Sequence, residues 1–319
     1  MQNEIGTNQI SHKRCTATKI ILTGGAGAVT TLCANSIAKG IATAIAEDAM
    51  VVGGLRNSIF KEGAKAALDA HCHEIKFINP TQPLDSYMRA LIKASESESP
   101  SLLARNYEKV IGGIQNSARK IGRKIIPNIM EFMDKKDKAE IYKFLKSVIN
   151  GENAGCLNNS ITVNLDKLAA STFHEMGHAS NYNCKGLGKV LQLLRESKCK
   201  HIGLGLAFAG AILVSSKEPE NESGQPQGFW TKTKRFIGKN CVGIAALSCA
   251  PEILEEGLAS VKGAKIAKSV LSKDAYKMVN SLNRKAWLTY LAGGAALTLG
   301  VFVTKKIRSI LDRALTSDK

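Results

Sequence analysis

The sequence predicts a predominantly helical α+β protein with a small β-sheet and membrane-associated apolar helices. Three observations carry that prediction. Apolar residues recur at three- and four-residue intervals through long stretches of the chain, the period of one helix face. Aromatic residues make up 5% of the 319 positions while Gly alone contributes 28, a balance that suits closely packed helices. Ile20 to Ala38 and Ala286 to Thr304 are uncharged and bounded by basic residues; as helices each reaches about 28 Å, close to a bilayer's hydrocarbon thickness.

The first of these, "IILTGGAGAVTTLCANSIA", lies between Lys19 and Lys39. Its Gly, Ala, Ser and Thr content is weakly hydrophobic but suits close helix packing in a membrane, and a buried soluble helix gives the same text. Residues 1–46 are thus a tail and a candidate membrane helix. Residues 47–100 form a mixed region, with a short strand in "EIKFINP" and an exposed linker in "SESESPS", Ser95 to Ser101. His71 and His73 in "HCHE" are two apart, which suits a strand or loop, and no further ligand can be named for them.

Leu102 to Asn150 reads as basic amphipathic helix, in the manner of segments that lie on anionic lipid or cover a core with a solvated face. After "NAGCLNNS", the β-branched run Ile161 to Val163 predicts a short strand. Leu165, Leu168, Ala169, Thr172, Phe173, Met176 and Ala179 then predict an amphipathic helix.

That helix carries "STFHEMGHASN", Ser171 to Asn181. Residues i and i+4 share a helix face, so His174 and His178 can direct ring nitrogens to one ion, with Glu175 about 100° round the helix. HExxH is the spacing in which two imidazoles hold zinc and the glutamate acts as general base on water. Composition alone produces it by chance in roughly 0.6% of such chains. A third protein ligand is needed. No His follows at short spacing, which leaves a downstream carboxylate, and "APEILEEGLASVKGAK" offers Glu252, Glu255 and Glu256 on a helix whose first turn would hold Pro251.

"FHEMGHASN" followed by "EEGLAS" resembles the gluzincin metallopeptidases, most closely the HtpX and CAAX-prenyl-protease type of integral-membrane zinc endopeptidase. The resemblance covers Glu152 to about Lys262. It implies a zincin-like metallopeptidase core over residues 101–265, with an apolar hairpin insert at 201–251, hydrolysing internal bonds of a protein or peptide substrate with one Zn²⁺ per chain. His174, His178 and Glu256 would bind the metal and Glu175 would activate water. Ser260 stands where the family has an aspartate, so a hydroxyl would support the metal-bound histidine instead of a carboxylate. Taking Glu255 as ligand would put Ala259 at that supporting position. In related proteases an edge strand beside the zinc helix pairs with extended substrate, and Ile161, Thr162, Val163 and Asn164 are the candidates, with an internal sheet strand as the plainer reading. The resemblance does not identify the oxyanion donor; Tyr182 and Tyr276 are candidates.

His201 to Ser216 and Asn240 to Pro251 are apolar but short for a full crossing. If the two histidines and the glutamate meet, the chain between them crosses an even number of times. Both runs then span, or neither does. Residues 266–319 supply a helix, the candidate span Ala286 to Thr304 with Trp287 and Tyr290 as interfacial anchors, and a basic tail.

A net charge of +17 points to anionic partners, but the chain has no zinc-finger or RRM-type signature and few aromatics for base stacking. A lipid bilayer is the expected partner and nucleic acid is not. Eight cysteines, with no CxxC pair, argue for a reducing compartment, and together with the resemblance they imply a cytoplasmic catalytic face. Cys33, Cys241 and Cys249 lie in apolar runs, where a free thiol behaves as a small hydrophobe. The contrasting expectation is a non-enzymatic basic membrane protein with a structural or chance histidine pair.

Overall fold

The computed structural model describes residues 18–27, 76–78, 146–150, 153–157, 160–164, 170–183, 186–196, 199–213 and 228–314, with isolated positions between 29 and 44 and between 120 and 144. His71, His73, the linker at 95–101 and most of the basic stretch at 102–150 lie outside them. Among the described residues the chain is mostly helical. Its named helices are α1 (Ser171–Asn183), α2 (Leu187–Glu196), α3 (Cys199–Leu213), α4 (Phe229–Val270) and α5 (Lys273–Ala314), and residues 18–27 are also helical.

Three short strands, β1 (Lys76–Ile78), β2 (Gly155–Leu157) and β3 (Ser160–Thr162), form one sheet in the order β1-β3-β2. β3 pairs parallel with β1, Phe77 opposite Ile161, and antiparallel with β2, Cys156 opposite Ile161. Pairing of Leu157 with Ser160 leaves two residues between β2 and β3, the length of a tight hairpin.

The chain divides into two compact units that interleave along the sequence. Unit 1 comprises 1–41, 199–250 and 291–319; unit 2 comprises 42–198 and 251–290. Helices α4 and α5 each contribute to both.

Unit 2 is built on a core of Ile161 and Val163 from the sheet region, Phe173, Met176 and Ala179 from α1, Ala267 from α4, and Ala275 and Val279 from α5. Phe173 and Met176 are fully buried, and burial of side chains this large stabilises by about 1.5–3 kcal/mol each. They fix the rotation of α1 about its axis. Gly177 sets its distance from α4, since a Cβ there would run into the Ala259 carbonyl, as one at Gly263 would run into that of Phe173. Two glycines therefore let these helices touch backbone to backbone.

Unit 1 packs helices through small residues as well. A Cβ at Gly203 would strike Ser248 and one at Gly210 would meet Ile237, so α3 runs antiparallel to the first half of α4. Gly27 lies against Thr304, Gly300 against Thr31, and Lys19 pairs with Asp312 at 3.5 Å, which sets helix 18–27 antiparallel to the end of α5.

The sequence places Pro251 in the first turn of a separate helix; instead α4 runs unbroken for 42 residues with Pro251 inside it. Proline removes one rung of the hydrogen-bond ladder and need not end a helix that tertiary packing holds on both sides. The division between units falls at that residue. The short run Asn240 to Pro251 is likewise the middle of a longer helix, as Ala286 to Thr304 is part of the 42-residue α5. Both α4 and α5 are long and apolar enough to cross a membrane, and α3 is a shorter apolar helix. Cys241 and Cys249 are buried, as their apolar setting predicts, while Cys33 is exposed.

Candidate metal centre

Helix spacing brings His174 and His178 to one face of α1, and the Gly177 contact brings α4 close enough for Glu256 to reach both. His174 Nε2 lies 3.0 Å from Glu256 Oε2, the two Nε2 atoms are 3.0 Å apart, and His178 Nε2 lies 3.5 Å from the same carboxylate oxygen. A tetrahedral ion with bonds of about 2.0–2.2 Å separates its ligand atoms by about 3.3 Å. The triangle thus has the dimensions of one face of such a coordination shell. These three side chains form a group able to hold a metal ion.

The atoms behind the triangle are equally specific. His178 Nδ1 lies 2.8 Å from Glu255 Oε1 and 3.1 Å from Arg195 Nη1. One ring nitrogen cannot serve both, and the shorter contact is the ionic one, so Nδ1–H donates to Glu255. The lone pair of Nε2 is then turned to the metal position. Ser260 Oγ sits 3.3 Å from His174 Nδ1 and donates to the Asn283 carbonyl at the same distance. Each histidine therefore has a partner on its outer nitrogen: a carboxylate for His178 and a hydroxyl for His174.

Arg195 ties the two glutamates together. Its Nη1 donates to Glu255 Oε2 at 2.8 Å and its Nη2 pairs with Glu256 Oε1 at 2.9 Å. Asn181 Nδ2 adds a bond to Glu255 Oε1 at 2.9 Å. Both glutamates are fully buried, and such carboxylates require partners of this kind. Arg195 comes from α2, which turns back from α1 at Gly186, a glycine with φ of 126° where a side chain would be strained.

Charge balance follows the geometry. Glu175, Glu255 and Glu256 against Arg195 leave a formal excess of two negative charges when both imidazoles are neutral. A divalent cation cancels it. Without one, burial disfavours the charged form of His178, but hydrogen bonds to Glu255 and Glu256 outweigh that and push its pKa up to about 10. Glu175 is half-buried, and burial raises its carboxyl pKa above the usual value even though both histidines act to lower it. Arg195 pays a similar burial penalty and is nonetheless held more firmly protonated by Glu256 and Glu255.

The site thus brings together His174, His178, Glu256 and Ser260, with Glu175 beside the two histidines on α1. It does not bring in the expected substrate strand. β3 is the middle strand of the sheet, both of its edges are hydrogen-bonded, and Ile161 and Val163 are core residues. Thr162 is buried, and Asn164 donates to the Ile149 carbonyl at 2.6 Å. The edges of this sheet belong to β1 and β2; the sequence predicts the strand at β1, within "EIKFINP", but not its pairing with β3.

Neither candidate oxyanion donor joins the cluster. Tyr276 packs against the hydrophobic core, and Lys189 Nζ lies 4.8 Å from the centre of the Tyr182 ring. Tyr290 does join it, being coupled electrostatically to Glu256, Arg195 and Glu175. The register of α5 on α4 explains why: Asn283 bonds Ser260 and Trp287 Nε1 donates to the Ile253 carbonyl at 2.9 Å, so the next turn of α5 carries Tyr290 past Glu256. Trp287, expected at a membrane interface, packs over Gly257 between α4 and α5.

Sequence reasoning missed Arg195 and the role of Glu255. For Arg195 the only signal was its place in a helix between the two motifs. For Glu255 it was adjacency to Glu256, which reads equally as a solvated pair. Comparison with protein-family models, curated proteins and solved structures finds no match to this chain, so the site rests on its own atoms.

Proposed function

We propose that the protein is a membrane-associated zinc endopeptidase that hydrolyses internal peptide bonds of protein substrates. The observation that carries this reading is the triangle of His174 Nε2, His178 Nε2 and Glu256 Oε2, with edges of 3.0 to 3.5 Å, beside a half-buried Glu175. Two imidazoles and one carboxylate are a donor set that zinc accepts while keeping a position for water. Zinc, when bound, would lower the pKa of water from 15.7 to about 7 and polarise the scissile carbonyl.

The chain's own residues supply the proton chemistry and the orientation. Glu175 accepts a proton from the attacking water and delivers it to the departing amine nitrogen as the C–N bond breaks. Burial raises its pKa above the usual carboxylate value, which favours its taking up a proton from water and passing it on. Glu255, through His178 Nδ1, fixes one imidazole tautomer, and Arg195 holds Glu255 and Glu256 in register. Tyr290, which feels the charges of Glu256, Arg195 and Glu175, would donate a hydrogen bond to the oxygen that becomes negative as water adds to the carbonyl.

Membrane association is supported by the length and apolarity of α4 and α5. The antiparallel pairing of α3 with the first half of α4 supports an even number of crossings between the two motifs. The zincin-like core assigned to residues 101–265 and the cytoplasmic catalytic face rest on the resemblance and on free thiols. Glu175→Gln tests the catalytic reading: about one zinc per chain is retained while cleavage of an unfolded protein substrate is lost. Undiminished cleavage by that variant would contradict it.

A further inference from the structure

Asp312 is the only acidic residue among the described residues of unit 1, whereas basic residues occur on all of its helices. The fold gathers many of them at one end. Lys305 Nζ donates to the Lys239 carbonyl at 2.8 Å, which places the start of α4 beside the end of α5. Lys19 joins them through its pairing with Asp312, and Arg308 Nε contacts the same carboxylate at 3.3 Å. That buried trio keeps one positive charge in excess, and Arg308 Nη1 is buried with no hydrogen-bond partner.

On the outside of this end, α4 presents a shallow cavity of about 470 Å³ lined by Lys232, Arg235, Phe236, Lys239 and Asn240. The spacing of i, i+3, i+4, i+7 and i+8 aligns all five on one helix face. Phe236 is 64% exposed, and one turn or more before it Phe229 and Trp230, 74% and 73% exposed, stack edge to face with centroids 5.7 Å apart. Water disfavours so much bare aromatic surface beside three cations. A bilayer interface accommodates both, because aromatic rings sit at headgroup depth and lysine and arginine meet phosphate there.

We infer that the Lys232–Arg235–Lys239 face of α4 is a binding site for the headgroup of an anionic phospholipid, with Phe236 against its acyl chains. Arginine offers a forked pair of donors to phosphate, and the two lysines and Asn240 surround it with further donors. A single exposed helix face with three cations and an adjoining aromatic fits one lipid better than it fits nucleic acid, which would need stacking surfaces along a longer track. This site rests on the membrane reading of α4 and α5 and is independent of zinc hydrolysis.

The test uses the full chain purified in a neutral detergent and titrated with phosphatidylglycerol and phosphatidylcholine of identical acyl chains, with bound lipid counted by native mass spectrometry. Phosphatidylglycerol should bind and phosphatidylcholine should not compete. Lys232→Gln, Arg235→Gln and Lys239→Gln together should weaken binding on the order of a hundredfold, while Lys232→Arg with Lys239→Arg retains it. Lys265→Gln, Lys268→Gln and Lys273→Gln, exposed positions in unit 2, remove the same charge and should leave binding unchanged. Equal loss from that control set would overturn the site, as would equal binding of both lipids. Tighter binding of a short RNA, or displacement of the lipid by inorganic phosphate, would also overturn it by assigning the face to another ligand. A chain that stays monodisperse without detergent would remove the membrane reading itself, a result distinct from loss of headgroup preference.

Discussion

His178 Nδ1 donates to Glu255 Oε1 at 2.8 Å, and the residue beside Glu255 in sequence, Glu256, faces the other nitrogen of the same ring. Successive residues on α4 thus grip both sides of one imidazole. Partners of this kind raise the basicity of a metal-bound histidine, and losing one typically costs 10- to 100-fold in metal affinity. Glu255→Gln should therefore bind zinc about 10- to 100-fold more weakly than wild type in a chelator competition titration. Unchanged affinity would assign Glu255 to Arg195 alone.

Arg195→Met should be most damaging in the metal-free protein. It leaves two fully buried carboxylates without their shared guanidinium, and breaking a buried ion pair from one side costs about 3–5 kcal/mol. The 28% exposure of the Arg195 side chain lets water soften the loss, so the lower end of that range is expected. A bound divalent ion supplies the missing charge, so chemical denaturation should show a much smaller deficit in saturating zinc. Equal deficits in both states would contradict this account of the cluster.

Gly177→Ala tests the helix contact that makes the site possible. The added methyl meets the Ala259 carbonyl, a backbone atom with nowhere to move, and overpacking of this kind costs typically 1–3 kcal/mol. Separation of α1 from α4 also pulls Glu256 from the histidines. Thermal melting and metal content should fall together, and a stable variant with full zinc would show that the contact does not position the ligand.

The acid–base state of His178 gives a pH signature. Its pKa in the metal-free fold rises to about 10 from an ordinary 6.5. The resulting stabilisation is complete below the unfolded-state value and is lost as pH climbs through about 10. The Tm of metal-free protein should therefore decline from pH 7 to 10, and zinc uptake near neutrality should release a proton. Zinc-loaded protein, whose imidazoles are already neutral, should lack that decline. A metal-free Tm that rises across this interval would contradict the assignment.

Tyr290→Phe removes one donor while keeping the ring that packs α5. If its hydroxyl meets the developing negative charge, kcat falls about 10²- to 10³-fold with KM and zinc content nearly unchanged. A change confined to KM would instead make it a substrate-binding residue.

How much of this could be read beforehand follows from what each signal depends on. His174, Glu175 and His178 were legible because their relation is local: four residues of helix fix two ring directions. Glu256 and Ser260 emerged through resemblance, and both lie beside the histidines. Arg195 and Tyr290 were not legible, since both reach the cluster by the way α2 turns at Gly186 and α5 registers on α4, which are tertiary facts. The strand at Ile161 was recognisable from β-branching, whereas its central place in the sheet depends on β1, more than eighty residues earlier. Pro251 misled for the opposite reason: a local rule predicted a helix start, and packing on both sides kept α4 continuous.

The most direct measurement of the central claim is elemental analysis of the purified full chain, wild type beside His174→Ala and Glu256→Ala. About one zinc per wild-type chain, and loss of tight binding in each folded variant, is the predicted result. Full zinc in Glu256→Ala, or none in folded wild-type protein supplied with the metal, would contradict convergence of these three side chains on one ion.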